Sequence, residues 1–179
     1  MSDTAHIALR ESRPEDIAFV LQLEGDPDNS PWVGSWTRER HLAASRTPEV
    51  KHWVVEALPS CRPIGYVIAL DLREQELGVH IKRIVIAEKG QGFGRAAMAH
   101  AVEWATNQRQ APFVWLDVLA NNLRAQAAYR AAGFAIFSLP EMERAMWGAA
   151  VGESSLEGSL MRCPGKVPLP PKASLPDVP

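Results

Sequence analysis

The chain has 179 residues, of which 46% are hydrophobic and 22% charged, and its formal net charge is −2 at pH 7. This length suits one domain with a single substantial core. The near-neutral charge gives no indication of a nucleic-acid partner or a membrane surface, and no stretch approaches the length of a membrane span. Two cysteines, Cys61 and Cys163, are too few for a disulfide framework or a metal-ligand cluster, so we expect a cytoplasmic protein without a metal site.

The beginning of the chain predicts one strand followed by two helices. Residues 6–10 are typical of a short strand, and residues 12–15 match a helix capping box with proline in the first turn. Spaced apolar residues give the next helix one buried face as far as Gly25. Thr37 can cap a second helix that runs to about Arg46.

A hairpin and a third strand follow. Two β-rich runs, residues 50–57 and 64–72, predict the hairpin, and residues 79–86 predict a strand antiparallel to it. Glycines at alternate positions then lead into an alanine-rich helix. The helical face expected to be buried comprises Gly94, Ala97, Ala101, Trp104 or Ala105, and Gln108.

The loop that carries Gly90, Gly92 and Gly94 favours an anionic ligand, because glycine lets the backbone approach closely and the next helix offers unpaired N–H groups. A Walker loop is excluded, because Gly94 is followed by Arg-Ala. Residues 92–97 fit the dinucleotide pattern Gly-x-Gly-x-x-Ala of nicotinamide oxidoreductases, but Asp117 lies inside its strand where that fold needs an acid at a strand end. A glycine turn that binds nothing is the third alternative.

The next strand and helix come from residues 113–133. Residues 113–119 predict a strand parallel to the preceding one, because a helix makes the crossover. A helix then begins at Asn122, with Asn121 as the competing cap, and stops at Gly133. The helix is expected to continue through Leu123, Ala127 and Ala131.

The end of the chain predicts two more strands and a tail. The strands are expected at residues 134–138 and 156–162, with a helical turn around residues 142–147 between them. Residues 164–179 hold six prolines and no apolar period, which indicates an extended or disordered tail. The alternative is that the tail packs on the second subunit of a homodimer.

Two motifs resemble those of the GNAT acetyltransferases. Residues 89–94 (Lys-Gly-Gln-Gly-Phe-Gly) resemble the acyl-CoA signature Arg/Gln-x-x-Gly-x-Gly/Ala, with Lys89 where Arg or Gln is usual. Residues 122–134 resemble the second hallmark, Asn-x-x-Ala-x-x-x-Tyr-x-x-x-Gly-Phe. The resemblance implies a mixed α/β domain over residues 1–163, with about four helices around a mostly antiparallel sheet of six or seven strands and one splayed parallel pair.

The same resemblance implies acetyl-CoA as the cofactor, lying where the sheet splits after the glycine-loop strand. Its pyrophosphate would accept bonds from backbone N–H groups of the loop, and its pantetheine arm would pair with that strand, where an N–H near Val85 polarises the thioester oxygen. The expected cofactor contacts are Ile84, Val85, Ile86, Gln91, Gly92, Phe93, Gly94, Arg95 and Asn122.

The implied reaction is direct attack of an amine on the acetyl carbonyl. Tyr129 stands where the family supplies a phenol to the leaving thiolate, with packing as its alternative role, and Asn122 either contacts the CoA arm or caps its helix. His80 stands where related enzymes place a glutamate base, and histidine suits proton transfer near neutral pH. The competing bases are Glu74, Glu76, Asp117 and water.

The acceptor is expected to meet residues 24–36, a turn-rich segment with acids and tryptophans between the first two helices. A cationic small primary amine is favoured, and a protein N-terminus or lysine is second. The candidate contacts are Trp32, Trp36, Asp26 and Asp28, with Glu24 as a further acid. Solvated acids with tryptophans closing over the core are the alternative interpretation. The alternative function is a GNAT-fold acyl-CoA-binding module without turnover.

Overall fold

The computed structural model describes residues 6–72, 77–151 and 158–165. Seven strands in these ranges form one sheet: β1 (Ile7–Glu11), β2 (Val50–Ala57), β3 (Arg62–Asp71), β4 (Val79–Ile86), β5 (Phe113–Val118), β6 (Ala135–Ile136) and β7 (Ser159–Pro164). Their order is β1-β2-β3-β4-β5-β7-β6, and only the β4–β5 neighbours run parallel. The predicted mixed α/β fold with a mostly antiparallel sheet is confirmed.

Five α-helices of the described residues cover the two faces of this sheet: α1 (Ile17–Gly25), α2 (Arg38–Ala44), α3 (Phe93–Glu103), α4 (Leu123–Ala131) and α5 (Glu141–Val151). Apolar side chains of α1 meet Tyr66, Ile68 and Val85 on one face. Side chains of α3 and α4 join the largest apolar cluster on the other face. Trp147 of α5 closes over Trp115 beside the α1 side of the sheet. Both faces of the central strands are therefore buried.

Strand β4 contains an extra residue just before the glycine loop. Ile68 of β3 pairs with Arg83 and Ala69 pairs with Ile81, so Lys82 is left over as a bulge. A bulge changes which side chains face which side of a sheet. Beyond it, Arg83 contacts Glu24 of α1 and Val85 joins the α1 cluster, so both face that helix.

The N-terminal elements begin and end close to their predicted positions, but the predicted capping box of residues 12–15 is wrong. The corresponding bond forms one residue later: Oδ2 of Asp16, the last residue of the 3-10 turn Pro14–Asp16 that precedes α1, accepts the backbone N–H of Arg13 at 2.7 Å. Ser12 instead bonds His52, because β1 already places it beside β2. Thr37 caps α2 as predicted and accepts from the N–H of Arg40, although α2 ends at Ala44.

Helix α3 buries most of its predicted face, and helix α4 buries the side that carries Tyr129. Ala97, Ala101 and Ala105 are buried as predicted, but a π-helical turn over Trp104–Gln108 rotates the helix end and leaves Gln108 exposed. Helix α4 runs through residues 123, 127 and 131 as predicted, and these three residues are exposed. Gln126 is buried, and Tyr129 packs against the main apolar cluster, so α4 contacts the sheet through this side.

The C-terminal elements differ most from the prediction. The expected turn at residues 142–147 is the full helix α5, which makes five helices where about four are expected. Strand β6 has only two residues, and β7 begins at Ser159 and inserts between β5 and β6. Residues 166–179, nearly all of the predicted tail, lie outside the described residues. The domain boundary therefore stays a prediction.

Candidate active site

A wedge-shaped opening separates β4 from β5. The parallel ladder holds only two pairs, Val79 with Val114 and His80 with Trp115, although both strands continue beyond them. In the described part of the chain, no strand pairs with β4 on this edge after His80. An unpaired strand edge can accept an extended ligand, since its N–H and C=O groups are available for pairing.

The register of β4 shows which backbone groups face the opening. The N–H of Ala87 donates to the carbonyl of Ile64 at 2.8 Å, and bonded pairs alternate along an antiparallel ladder. Val85, opposite Tyr66, therefore directs its N–H toward β3, whereas Ile84 and Ile86 direct theirs toward β5. Of the backbone N–H groups near Val85, those of Ile84 and Ile86 therefore face the opening, whereas that of Val85 does not.

The glycine loop ends at the N-terminus of α3. Gly90 and Gly92 have φ values of +81° and +79°, a region that favours glycine. The first helical bond runs from the N–H of Ala96 to the carbonyl of Gly92, and no described side chain caps this end. The N–H groups from Phe93 to Arg95 therefore point out of the helix, where an anion is stabilised.

Lys89 connects this loop to the segment between α1 and α2. Its ammonium donates to the carbonyl of Ile86 and to Oδ1 of Asn29, each at 2.5 Å. Burial lowers the pKa of Lys89, whereas the charges of Asp26 and Asp28 oppose that change. Both acids therefore lie near the glycine loop, and their role as acceptor contacts stays a prediction.

His80 and Asp117 bridge the strands where they diverge. The Nε2 of His80 lies 3.0 Å from Oδ1 of Asp117, and the imidazole stacks on Trp115 with ring centroids 3.8 Å apart. Burial lowers the pKa of His80, so a neutral ring donates from Nε2 to the carboxylate. Its Nδ1 is buried without a hydrogen-bond partner among the described residues.

This arrangement changes which group can act as the base. The side chain of His80 is wholly buried, whereas that of Asp117 keeps 25% of its surface exposed. An acceptor amine can therefore reach the carboxylate of Asp117 more directly than the imidazole. Glu74 and Glu76, the other predicted alternatives, lie outside the described residues.

Asn122 and Tyr129 lie on α4, two turns apart. The side-chain oxygen of Asn122 accepts the N–H of Ala125 at 3.2 Å, so Asn122, and not Asn121, caps the helix. Tyr129 packs beside Phe134 in the core. Burial and the negative charge of Asp117 raise the pKa of Tyr129 to about 12, so its phenol holds a proton at neutral pH.

A buried carboxylate at the end of α1 was missed as a structural centre. Glu24 is only 2% exposed; it accepts from the hydroxyl of Tyr66 at 2.6 Å and from the N–H of Trp36 at 2.9 Å, and it pairs with Arg83. Burial alone would raise the pKa of Glu24, but hydrogen bonds from His41, Tyr66 and Trp36 lower it to about 2. Glu24 is therefore fully engaged and cannot serve as a free acidic contact for an amine.

Two buried histidines extend this centre toward β1. Nε2 of His41 lies 3.3 Å from Glu24, its Nδ1 lies 3.0 Å from Nε2 of His52, and Nδ1 of His52 lies 2.8 Å from the hydroxyl of Ser12. The carboxylate favours a proton on Nε2 of His41, which makes each following ring accept at Nδ1 and donate at Nε2. No local motif could have revealed this chain, because its members come from separate elements.

Trp36 packs against the α1 cluster that includes Val85 of β4, and two arginines lie over its ring. The guanidinium carbons of Arg40 and Arg83 lie 4.2 and 4.6 Å from its ring centroid. Trp32, the other predicted aromatic contact, is 38% exposed. The sequence predicts Trp36 as a contact of the acceptor, which stays a prediction, but it does not predict that Arg40 and Arg83 contact the ring.

The family model described as the acetyltransferase (GNAT) family matches residues 17–134, which span the glycine loop and the α4 motif. The chain belongs to this family. A GNAT member uses acetyl-CoA as its acyl donor, so this chain is an acetyl-CoA-dependent N-acetyltransferase. No curated protein sequence matches the chain.

Solved structures show the same GNAT fold at low sequence identity. A chimera of the Vibrio cholerae spermidine N-acetyltransferase with hSSAT has a TM-score of 0.68 and 18% identity, over 88% of this chain and 95% of that one. The Vibrio cholerae spermidine N-acetyltransferase in complex with CoA and spermine has a TM-score of 0.63 and 19% identity, over 74% and 82%. A domain from Methanocaldococcus jannaschii has a TM-score of 0.68 and 15% identity, over 89% and 99%.

The residues around the opening fit acetyl-CoA. The bare N–H groups at the start of α3 and the open space beside Gly90 suit a pyrophosphate, since no heavy atom of the described chain lies within 4 Å of a Cβ placed there. The edge of β4 at Ile84 and Ile86, which no described strand pairs, suits the amide groups of a pantetheine arm, although the carbonyl of Ile86 already accepts from Lys89. The described residues contain no cluster of three metal-ligating side chains, and none of their helices is long and apolar enough to cross a membrane.

Proposed function

We propose that this GNAT enzyme transfers the acetyl group of acetyl-CoA to a small primary amine, with a protein N-terminus or lysine as the second acceptor class. The observation that carries the proposal is the opening between β4 and β5, which has bare helix N–H groups at one end and Asp117 on β5, a carboxylate whose charge acts on the phenol of Tyr129. Bound acetyl-CoA supplies the activated thioester.

The backbone of the chain holds and orients the donor. Residues 91–95 bind the pyrophosphate through the N–H groups of the loop and the first turn of α3. Ile84 and Ile86 pair with the pantetheine arm through the main-chain groups that face β5, and an N–H on this edge stabilises the carbonyl oxygen during attack. The side-chain amide of Asn122 keeps its capping role at the start of α4.

Asp117 and Tyr129 are the two side chains that transfer protons in the proposed reaction. Asp117 accepts the proton that the ammonium acceptor must lose, and His80 fixes its carboxylate by donating from Nε2. Tyr129 keeps its phenolic proton at neutral pH, because burial raises the pKa of that group to about 12. It donates this proton toward the leaving thiolate. His80 is therefore a positioning residue in the proposal, whereas Asp117 and Tyr129 are catalytic.

The test is release of CoA from acetyl-CoA with a panel of small primary amines, a peptide with a free N-terminus, and a peptide whose only amine is lysine. We expect turnover with small amines, and a fall in kcat of roughly 10²-fold for Tyr129→Phe, since general acid catalysis contributes 10²–10⁴-fold. The acetyl-CoA Kd and the Tm of the variant are controls and should stay near wild type. An unchanged kcat would leave Tyr129 with packing alone, and acetyl-CoA binding without any turnover would indicate a non-catalytic module.

A further inference from the structure

The aromatic face of Trp36 is already occupied by cations of the chain itself. Arg40 and Arg83 place their guanidinium groups 4.2 and 4.6 Å from its ring centroid. A tryptophan face attracts positive charge through its quadrupole, and two guanidinium groups satisfy that attraction. An incoming cation would meet like charges here, so this tryptophan is poorly suited to hold a polyamine.

The two arginines differ in what balances their charge. Arg83 is buried, at 9% exposure, and pairs with the carboxylate of Glu24. Arg40 is exposed on α2 and forms no ion pair with the described residues. Burial lowers the pKa of Lys82 on the bulge, Asp117 opposes that change, and Arg83 and Arg40 add to it, so Arg40 lies near Asp117 as well as on Trp36. Of the two cations on Trp36, Arg40 is thus the one that no described carboxylate pairs with.

Trp36 and its arginines lie on the same face of the sheet as Asp117. Helices α3 and α4 cover the opposite face, whereas Trp36 packs with Val85 in the α1 cluster and His80 bonds Asp117 on this face. Arg83 and Val85 share that side, and residues two apart on a strand are separated by about 7 Å. A group bound at Arg40 beside Trp36 can therefore belong to the same small molecule as an amine at the reacting carbonyl.

We propose that the acceptor is an amine that also bears a carboxylate, and that the Arg40 guanidinium binds this carboxylate beside Trp36. The inference rests on the proposed function and narrows its substrate class. A guanidinium is the preferred partner of a carboxylate because its planar fork matches both oxygens. Stacking on Trp36 holds the fork in place before the substrate arrives. Arg40 is therefore a specificity-determining residue.

The test compares acceptors that differ only in the carboxylate, β-alanine with ethylamine and L-lysine with cadaverine, and includes spermidine. Wild type should show at least a tenfold higher kcat/KM for the carboxylated member of each pair. Arg40→Ala should raise the KM for the carboxylated amines about tenfold with little change in kcat, and leave their partners unaffected. Arg40→Lys should restore part of the loss. Arg38→Ala removes another exposed arginine of α2 and should change nothing.

Two results distinguish failure of the carboxylate site from failure of the proposed acetyl transfer. If ethylamine, cadaverine or spermidine is acetylated as well as the carboxylated amines, and Arg40→Ala affects all of them equally, the carboxylate site is wrong while the transferase activity stands. If no amine of any class releases CoA from acetyl-CoA, the proposed function and this inference fail together.

Discussion

At the scale of single residues, the proposed function depends most on Asp117, the group proposed to accept the proton of the amine. It lies on β5 at the start of the opening, is partly exposed, and receives a hydrogen bond from the buried ring of His80. Its negative charge also acts on the phenol of Tyr129. In the proposed reaction, one carboxylate therefore influences both the removal of a proton from the amine and the retention of a proton by the phenol.

We predict that Asp117→Asn lowers kcat by roughly 10²-fold at pH 7, since the amide still accepts from His80 but cannot take a proton. The loss should shrink as the pH approaches the pKa of the acceptor amine, because solvent then supplies the free base. Steady-state kinetics from pH 7 to about 10 measure this. A loss of equal size at every pH would mean that Asp117 positions the substrate and does not accept its proton.

At the scale of elements, α2 is attached to the sheet through its buried histidine. His41 contacts His52 of β2, and His52 bonds Ser12 after β1. Burial lowers the pKa of His52 to about 4. Protonation of His52 would break the donor and acceptor sequence of this chain, so the docking of α2 depends on neutral imidazole.

We predict that the free energy of unfolding falls as the pH drops from about 6.5 toward 4. The unfolded chain binds a proton at His52 in this range while the folded chain does not, so stability rises with pH, by up to about 3 kcal/mol, and is level above pH 6.5. Glu24, with a pKa of about 2, contributes a separate loss below about pH 4.5. Urea denaturation across this range measures the slope.

Variants that replace single histidines show which residue causes this dependence of the free energy of unfolding on pH. His52→Gln should reduce it but not abolish it, because burial also lowers the pKa of His80. His100→Gln, on the exposed face of α3, should leave it unchanged. A His52→Gln protein with the wild-type slope would contradict the assignment.

The elements that the sequence predicts well are those with a local signal. The β-branched run of β4, the alternate glycines and the start of α3 lie in one continuous stretch, and so do the cap, tyrosine and glycine of α4. Their periodicity and spacing carry the structure without help from distant residues. The same holds for Thr37 and α2.

The elements that the sequence does not predict depend on distant contacts. The insertion of β7 between β5 and β6 is a pairing choice that no local pattern encodes, and the bulge at Lys82 appears only in the register against β3. Glu24 looks like a loop acid until Tyr66 and Arg83 are brought to it by the sheet. The choice of base also depends on distant contacts, because the fold buries His80 and leaves its partner Asp117 partly exposed.

At the scale of the whole molecule, the sheet consists of two parts that meet at only two residue pairs of β4 and β5. The part from β1 to β4 carries the glycine loop and the two arginines on Trp36, and the part from β5 to β7 carries Asp117. In the proposed reaction the donor and acceptor meet between the two parts, and this requires acetyl-CoA to bind at the glycine loop.

Calorimetric titration of acetyl-CoA into wild type, Gly92→Ala and Gly92→Glu tests this most directly. Both variants carry the same backbone strain, because Gly92 has a φ of +79°, but only Gly92→Glu adds a charge that repels the pyrophosphate. We predict that wild type binds and that the Kd of Gly92→Glu is at least tenfold weaker than that of Gly92→Ala. Equal binding by both variants, or no binding by wild type, would contradict the account.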